Sequence, residues 1–175
     1  ERRQWYPVPD LCVARRFHSS CALGSCLYVF CGAKGVDFLN SIECLDTEAH
    51  LKGSFGSWNL LAVSQDVVLS PRCLLVSLPV SRSKILLIGG FRTPDKMADA
   101  FIFDTDSRQL QRRSKDASFK LSCAGDQCHW LAEPRGGRTL LALVQDTSSE
   151  IHLVSIQNQS VESISSVQNF GHISR

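Results

Sequence analysis

No apolar run in this chain approaches the roughly 18 residues that a membrane-spanning helix needs. Nor is there an excess of one charge: Lys plus Arg number 19 and Asp plus Glu 17, for a net +2. So small a balance gives no charge argument for nucleic-acid binding. The basic pairs Arg2-Arg3, Arg15-Arg16 and Arg112-Arg113 with Lys115 read as solvated loops and strand ends. An amphipathic helix is missing as well, and the segment 66–75 is interrupted by Pro71. The N-terminus is charged and carries Trp5 and two prolines, unlike a signal peptide. Tyrosine is scarce, with only Tyr6 and Tyr28, and the five histidines His18, His50, His129, His152 and His172 show no HxH or HExxH spacing. There is no GxSxG and no phosphate-binding loop. A Ser-His-Asp triad leaves no fixed spacing to read, because its members can be distant in sequence.

Eight cysteines are present: Cys12, Cys21, Cys26, Cys31, Cys44, Cys73, Cys123 and Cys128. No close CxxC pair exists, which argues against a zinc ribbon. Cys123-x4-Cys128-His129 is the best metal candidate, with weak spacing. The chain is large for a disulfide-stapled scaffold, so the cysteines are expected to be reduced, buried small hydrophobes, with no metal and no cofactor. Asn158-Gln159-Ser160 is a three-residue sequon with a high chance rate.

What the sequence has instead is a repeat. Cys26-Leu27-Tyr28-Val29-Phe30-Cys31-Gly32, a loop, then Ile42-Glu43-Cys44-Leu45-Asp46-Thr47 is matched by Ile85-Leu86-Leu87-Ile88-Gly89-Gly90, a loop, then Phe101-Ile102-Phe103-Asp104-Thr105. Gly32 and Gly90 are 58 positions apart, and so are Asp46 and Asp104. A fainter third copy runs through 139–146 and 150–156. Trp5 and Trp58 are 53 apart, as though an earlier copy ended at the N-terminus, and Phe170-Gly171-His172 echoes Phe17-His18. A period near 50 residues marks a propeller or solenoid array.

Short apolar runs bounded by Gly, Ser, Asp and Pro predict strands over 17–23, 27–30, 41–45 and 57–61 in the first unit. In the second they predict 73–78, 84–88, 99–103 and about 110–114; in the third, 130–133, 139–144, 151–156 and 161–164. Ile85-Leu86-Leu87-Ile88 is apolar without alternation, as a strand covered on both faces should be.

These features together resemble the kelch repeat. Its pattern has an Arg before the first strand, glycines after the second, a variable loop, a third strand with Glu and Asp, and a Trp in the fourth. In the first unit Arg16, Gly32, Glu43, Asp46 and Trp58 fit it, with Cys31 where a first glycine is expected. In the second, Arg72, Gly89, Gly90 and Asp104 fit, with Phe101 in the place of Glu43 and no Trp. The resemblance implies an all-β, kelch-type β-propeller of about three four-stranded blades forming a partial ring. The chain 1–175 would be one such region, with units near 12–62, 70–115 and 128–165, residues 1–11 ending a preceding blade and 166–175 beginning another. The ring would be completed by more blades in cis or by another chain. Motif residues are expected to be scaffold: Arg16 pairing with buried Glu43, and Trp5 and Trp58 packed between blades.

The resemblance further implies a cytoplasmic, non-enzymatic protein-interaction module or scaffold that binds a protein or peptide, not nucleic acid or membrane. Relatives serve as ubiquitin-ligase substrate receptors or cytoskeletal adaptors. The loops 33–39, 91–97 and 147–149 and the entry loops 12–18 and 70–73 would form the binding face. Its expected contact residues are Phe17, His18, Lys34, Asp37, Phe38, Phe91, Arg92, Asp95 and Lys96, with Phe38 and Phe91 as apolar anchors and Arg92 as a carboxylate clamp. A structural subunit of a large assembly is the alternative, and a galactose-oxidase-like copper enzyme is the lesser one.

Overall fold

The computed structural model describes residues 7–48, 56–63, 67–97, 99–113, 128–135, 138–145, 150–157 and 160–167. Every sheet among the described residues is antiparallel. The first four-stranded sheet has the order β1 (Ser19–Leu23), β2 (Cys26–Phe30), β5 (Ile42–Asp46), β6 (Asn59–Leu60). Between β2 and β5 lies a small hairpin of β3 (Ala33–Lys34) and β4 (Asp37–Phe38). The second sheet repeats the plan with β7 (Val76–Pro79), β8 (Lys84–Ile88), β11 (Ala100–Asp104) and β12 (Gln109–Arg113), and its hairpin is β9 (Phe91–Arg92) with β10 (Asp95–Lys96). The third is a meander of β13 (Cys128–Arg135), β14 (Arg138–Gln145), β15 (Glu150–Gln157) and β16 (Ser160–Val167). Pro134 falls on β13, an edge strand, where a missing N–H is tolerated.

All twelve strands expected from sequence are present, displaced by a few residues at their ends. The loops 33–39 and 91–97 differ from expectation: each is a paired β-hairpin. Trp5 and residues 168–175, assigned to flanking blades, and the loop 147–149 lie outside the described residues. Residues 7–11, expected to end a preceding blade, form no strand.

The sheets pack because alternate residues of β2 and β8 are apolar on both faces. Tyr28 and Phe30 point at the second sheet and meet Phe103 edge-on, at centroid distances of 6.2 and 5.9 Å. Pairs of this geometry contribute about 0.5–1.5 kcal/mol beyond area burial. Ile42, Leu69, Leu75, Ile85, Leu87, Phe101 and Leu110 complete this core. None of Ile85, Leu86, Leu87 and Ile88 is more than 5% exposed, as their unbroken apolar run implies. The edge strands β1 and β7 are neighbours, joined by Ser19 Oγ, which lies 2.7 Å from Ser77 Oγ and accepts from Ser77 N at 3.0 Å.

The repeated Asp-Thr closes the far end of the first two sheets. Thr47 N and Oγ1 both donate to Ser25 O, as Thr105 N and Oγ1 do to Ser83 O. Asp46 Oδ1 accepts from Glu48 N, and Asp104 Oδ1 from Asp106 N and Ser107 N. The Ser107 N–H bond is the chief reason the Asp104 carboxyl titrates below its ordinary range.

Candidate interaction face

The hairpin end of each of the first two sheets is built on one buried arginine. Arg15 Nη1 donates to Cys31 O at 2.8 Å, and its Nη2 pairs with Glu43, both side chains being fully buried. Glu43 also accepts from Cys12 N at 2.7 Å and Val13 N at 3.0 Å. The partner of Glu43 is therefore Arg15, not Arg16 as the motif pattern suggests. Arg16 pairs its backbone with Ala33, and its side chain goes the other way, outward, because successive extended residues alternate.

The second unit reaches the same frame differently. Arg72 Nη1 donates to Gly89 O at 2.9 Å, the counterpart of the bond from Arg15 to Cys31. Its carboxylate is Asp99, 2.5 Å away, in the place of Ser41, while Phe101 fills the place of Glu43 and lies 5.2 Å beneath the guanidinium carbon. The ion pair has moved by two residues along one face of the third strand.

The backbone after the second strand turns through positive φ in both units: Cys31 (58°) and Gly32 (104°), Gly89 (64°) and Gly90 (112°). Cys31 thus holds a left-handed conformation that suits glycine. At Gly32 and Gly90 glycine is required by space too, since an added Cβ would lie 2.8 Å from Arg16 O and 3.0 Å from Cys73 O.

These turns also join the units. Arg72 N donates to Leu39 O, Gly32 N to Arg72 O and Leu74 N to Phe17 O, all at 2.8–3.0 Å. The entry segment 70–73 is consequently not an open binding loop: Arg72 and Cys73 are buried against the first unit. Phe38 and Phe91, expected as free anchors, are half-buried and pack edge-on at 6.3 Å, so that they hold the two hairpins together.

Other apolar groups are displayed instead. Val36, at the β3–β4 turn, is 93% exposed, and Phe17 is 53% exposed on a backbone with φ 55°. Arg16 links them: its Nη2 donates to Gly35 O at 3.0 Å and its guanidinium lies 5.4 Å over the Phe17 ring. Lys34, Asp37, Arg92 and His18 are exposed around them. Partial burial, then the Arg15 charge, lowers the His18 pKa below its ordinary value. Asp95 and Lys96 form β10, paired with Arg92 and Phe91. Sequence reading had no signal for Val36, a lone valine between Gly35 and Asp37.

Trp58 immediately precedes β6 and ties it to the N-terminal segment, donating from Nε1 to Pro9 O at 3.0 Å. A groove of ≈ 920 Å³ runs along the outer face of that sheet, floored by Leu27 and Val29 and bordered by Leu11 and Trp58. Six cysteines among the described residues are free thiols, of which only Cys31 and Cys73 are fully buried, whereas Cys12 is exposed. Burial pushes Cys21 up to about 11 and Cys31 and Cys44 up to about 12. Cys123 of the metal candidate lies outside the described residues.

No curated protein matches the chain. Antiparallel four-stranded sheets with this recurring arginine and double left-handed turn fit a β-propeller. Residues 14–62 match the family model described as the kelch motif.

Proposed function

We propose that the chain is a non-enzymatic protein-interaction module whose recognition surface is the hairpin end of its sheets. The kelch motif is the general mark of such modules. The observation that carries the reading is the union of the two hairpins through Phe38 and Phe91 into one surface that leaves Phe17 and Val36 bare. Exposed apolar groups on a rigid, paired backbone are what a partner protein or peptide can use as anchors. In this reading the three sheets are blades near 12–62, 70–115 and 128–165 of a kelch propeller. The outer groove of the first sheet is the seat of a further blade, supplied in cis or by another chain. A cytoplasmic substrate receptor of a ubiquitin ligase and a cytoskeletal adaptor are the roles this surface suits.

The test is proximity labelling in cells with paired variants. Phe17→Asp with Val36→Asp should remove a defined set of labelled proteins, while Leu60→Asp on the outer strand should leave that set intact. Equal loss with both, or with neither, would refute the assignment of the face.

A further inference from the structure

The charges of the two hairpins offset one another across the strands. Asp37 stands opposite Lys34 and Asp95 opposite Arg92, one carboxylate to one cation in each. Lys96 stands opposite Phe91, further from the turn. Opposite charges at such cross-strand positions stabilise the hairpin itself. His18 adds no charge near neutral pH, because burial and then the Arg15 charge hold its pKa below the ordinary value. What stands bare at the first hairpin is a group of three: Phe17, Val36 and the guanidinium of Arg16.

The second unit shows which of these groups the scaffold needs. Arg16 and Cys73 make the same isolated bridge, one to Ala33 and the other to Phe91. Leu74 therefore corresponds to Phe17, and both have φ 55°. Pro94 precedes Asp95 as Val36 precedes Asp37. The charged pairs recur in both hairpins, so they belong to the frame. The trio does not recur: its counterparts are Cys73, which is buried, Leu74 and Pro94. The same backbone is made without Arg16, Phe17 and Val36, so the frame does not account for them.

Their geometry is that of a platform. Arg16 Nη2 donates to Gly35 O at 3.0 Å, and one side of its guanidinium lies 5.4 Å over the Phe17 ring. Phe17 is itself held by unit two, its carbonyl accepting from Leu74 N at 2.8 Å. Arg16 is exposed, and among the described residues no second ring covers it. A planar cation already fixed on one ring loses little freedom on receiving another, and attracts its π face. A carboxylate at the same place would make a solitary surface ion pair, screened by salt and worth little. An aromatic side chain also brings more apolar area to Phe17 and Val36 than an aliphatic one.

Resting on the interaction-module reading above, we propose that the partner element is an uncharged linear segment of a protein that presents one aromatic residue. Its ring stacks on the side of the Arg16 guanidinium turned away from Phe17 and packs against Val36. The paired hairpin charges set no net sign for the partner to match, so recognition is by ring and apolar contact and is insensitive to salt.

The experiment is fluorescence anisotropy on the full chain with three labelled peptides of equal length: tryptophan between glutamines, leucine between glutamines, and tryptophan between glutamates. The uncharged tryptophan peptide should bind roughly five- to tenfold more tightly than the leucine peptide. Added salt should change its affinity by less than about twofold. Arg16→Gln should erase the preference for tryptophan, and Arg16→Lys should keep only part of it, since an ammonium has no plane to stack. Phe17→Leu places the second unit's residue on the same backbone, so its thermal melt should be unchanged while the preference is lost. Equal binding of the two uncharged peptides, abolished by Val36→Asp, would overturn the aromatic partner while leaving the interaction face standing. Tighter, salt-sensitive binding of the glutamate-flanked peptide would overturn the uncharged segment. Binding of none of the three would overturn the proposal, and the labelling of cells with the Phe17→Asp and Val36→Asp pair then decides the face separately.

Discussion

Replacing Glu43 by leucine removes three bonds at once: the pairing with Arg15 and the acceptors of Cys12 N and Val13 N. Both charged side chains are fully out of contact with solvent, so Arg15 would remain as a buried, unpaired cation. Breaking a buried pair from one side costs about 3–5 kcal/mol. In a domain of this size that corresponds to a fall in Tm of roughly 6–20 °C, at about 2–4 °C per kcal/mol. The second unit supplies the remedy. There the carboxylate is Asp99, at the position Ser41 holds in the first, and an apolar residue stands where Glu43 does. Ser41 Oγ already accepts from Arg15 Nη2 at 3.0 Å, so an aspartate at 41 is within reach of the same guanidinium. Ser41→Asp in the Glu43→Leu background should restore about 1.5–3 kcal/mol, the worth of a hydrogen bond to a charged group. Urea denaturation of the two single variants and the double variant gives the coupling directly. A Glu43→Leu cost below about 1 kcal/mol, or no gain from Ser41→Asp, would refute the account of Arg15 as a charge that must be neutralised in place.

Two further outcomes are expected. Gly32→Ala should destabilise the chain by several kcal/mol or prevent folding, since its Cβ meets the Arg16 carbonyl at 2.8 Å, whereas Gly24→Ala, with φ 60° and open space, should cost only about 1–2 kcal/mol by urea denaturation. In iodoacetamide labelling at mildly alkaline pH, followed by peptide mass spectrometry, Cys12 should react well before Cys31 and Cys44. Both of the latter have pKa values raised to about 12 by burial and are almost wholly protonated there, and equal rates would contradict the burial shown.

The sheets were legible in the sequence because their signal is a property of each strand: unbroken apolar runs at 27–30, 85–88 and 101–103, closed by glycine or Asp-Thr. The hairpins were not legible, because strands of two residues are too short to show a period. The partner of Glu43 was misread for a more specific reason. Pairings in the later strands repeat at 58, but β1 and β7 repeat at 57, since Ser19 opposes Phe30 while Val76 opposes Ile88. One extra residue sits in the second unit's first turn, so Arg72 corresponds to Arg15. With Arg15 and Arg16 adjacent, the motif alone does not say which of them points inward. Asp99 went unmarked because its carboxylate does the work of Glu43 from two residues earlier, a substitution of position that spacing does not reveal. The displayed groups were least legible of all: Phe17, Phe38 and Phe91 look alike in sequence, and only the packing of Phe38 on Phe91 leaves Phe17 as the exposed ring.

The backbone bonds that join the first two units, from Gly32, Arg72 and Leu74, lie at the base of the turns, and none involves Gly35 or Val36. Sequence drift at the tip of the β3–β4 hairpin therefore leaves the join between units untouched, while drift at its base breaks two units at once. A lineage carrying this fold can change what it recognises by exchanging a few tip residues, with selection on stability blind to the exchange. The same partition marks where a foreign recognition loop could be grafted: between Lys34 and Asp37, inside a frame that does not register what stands there.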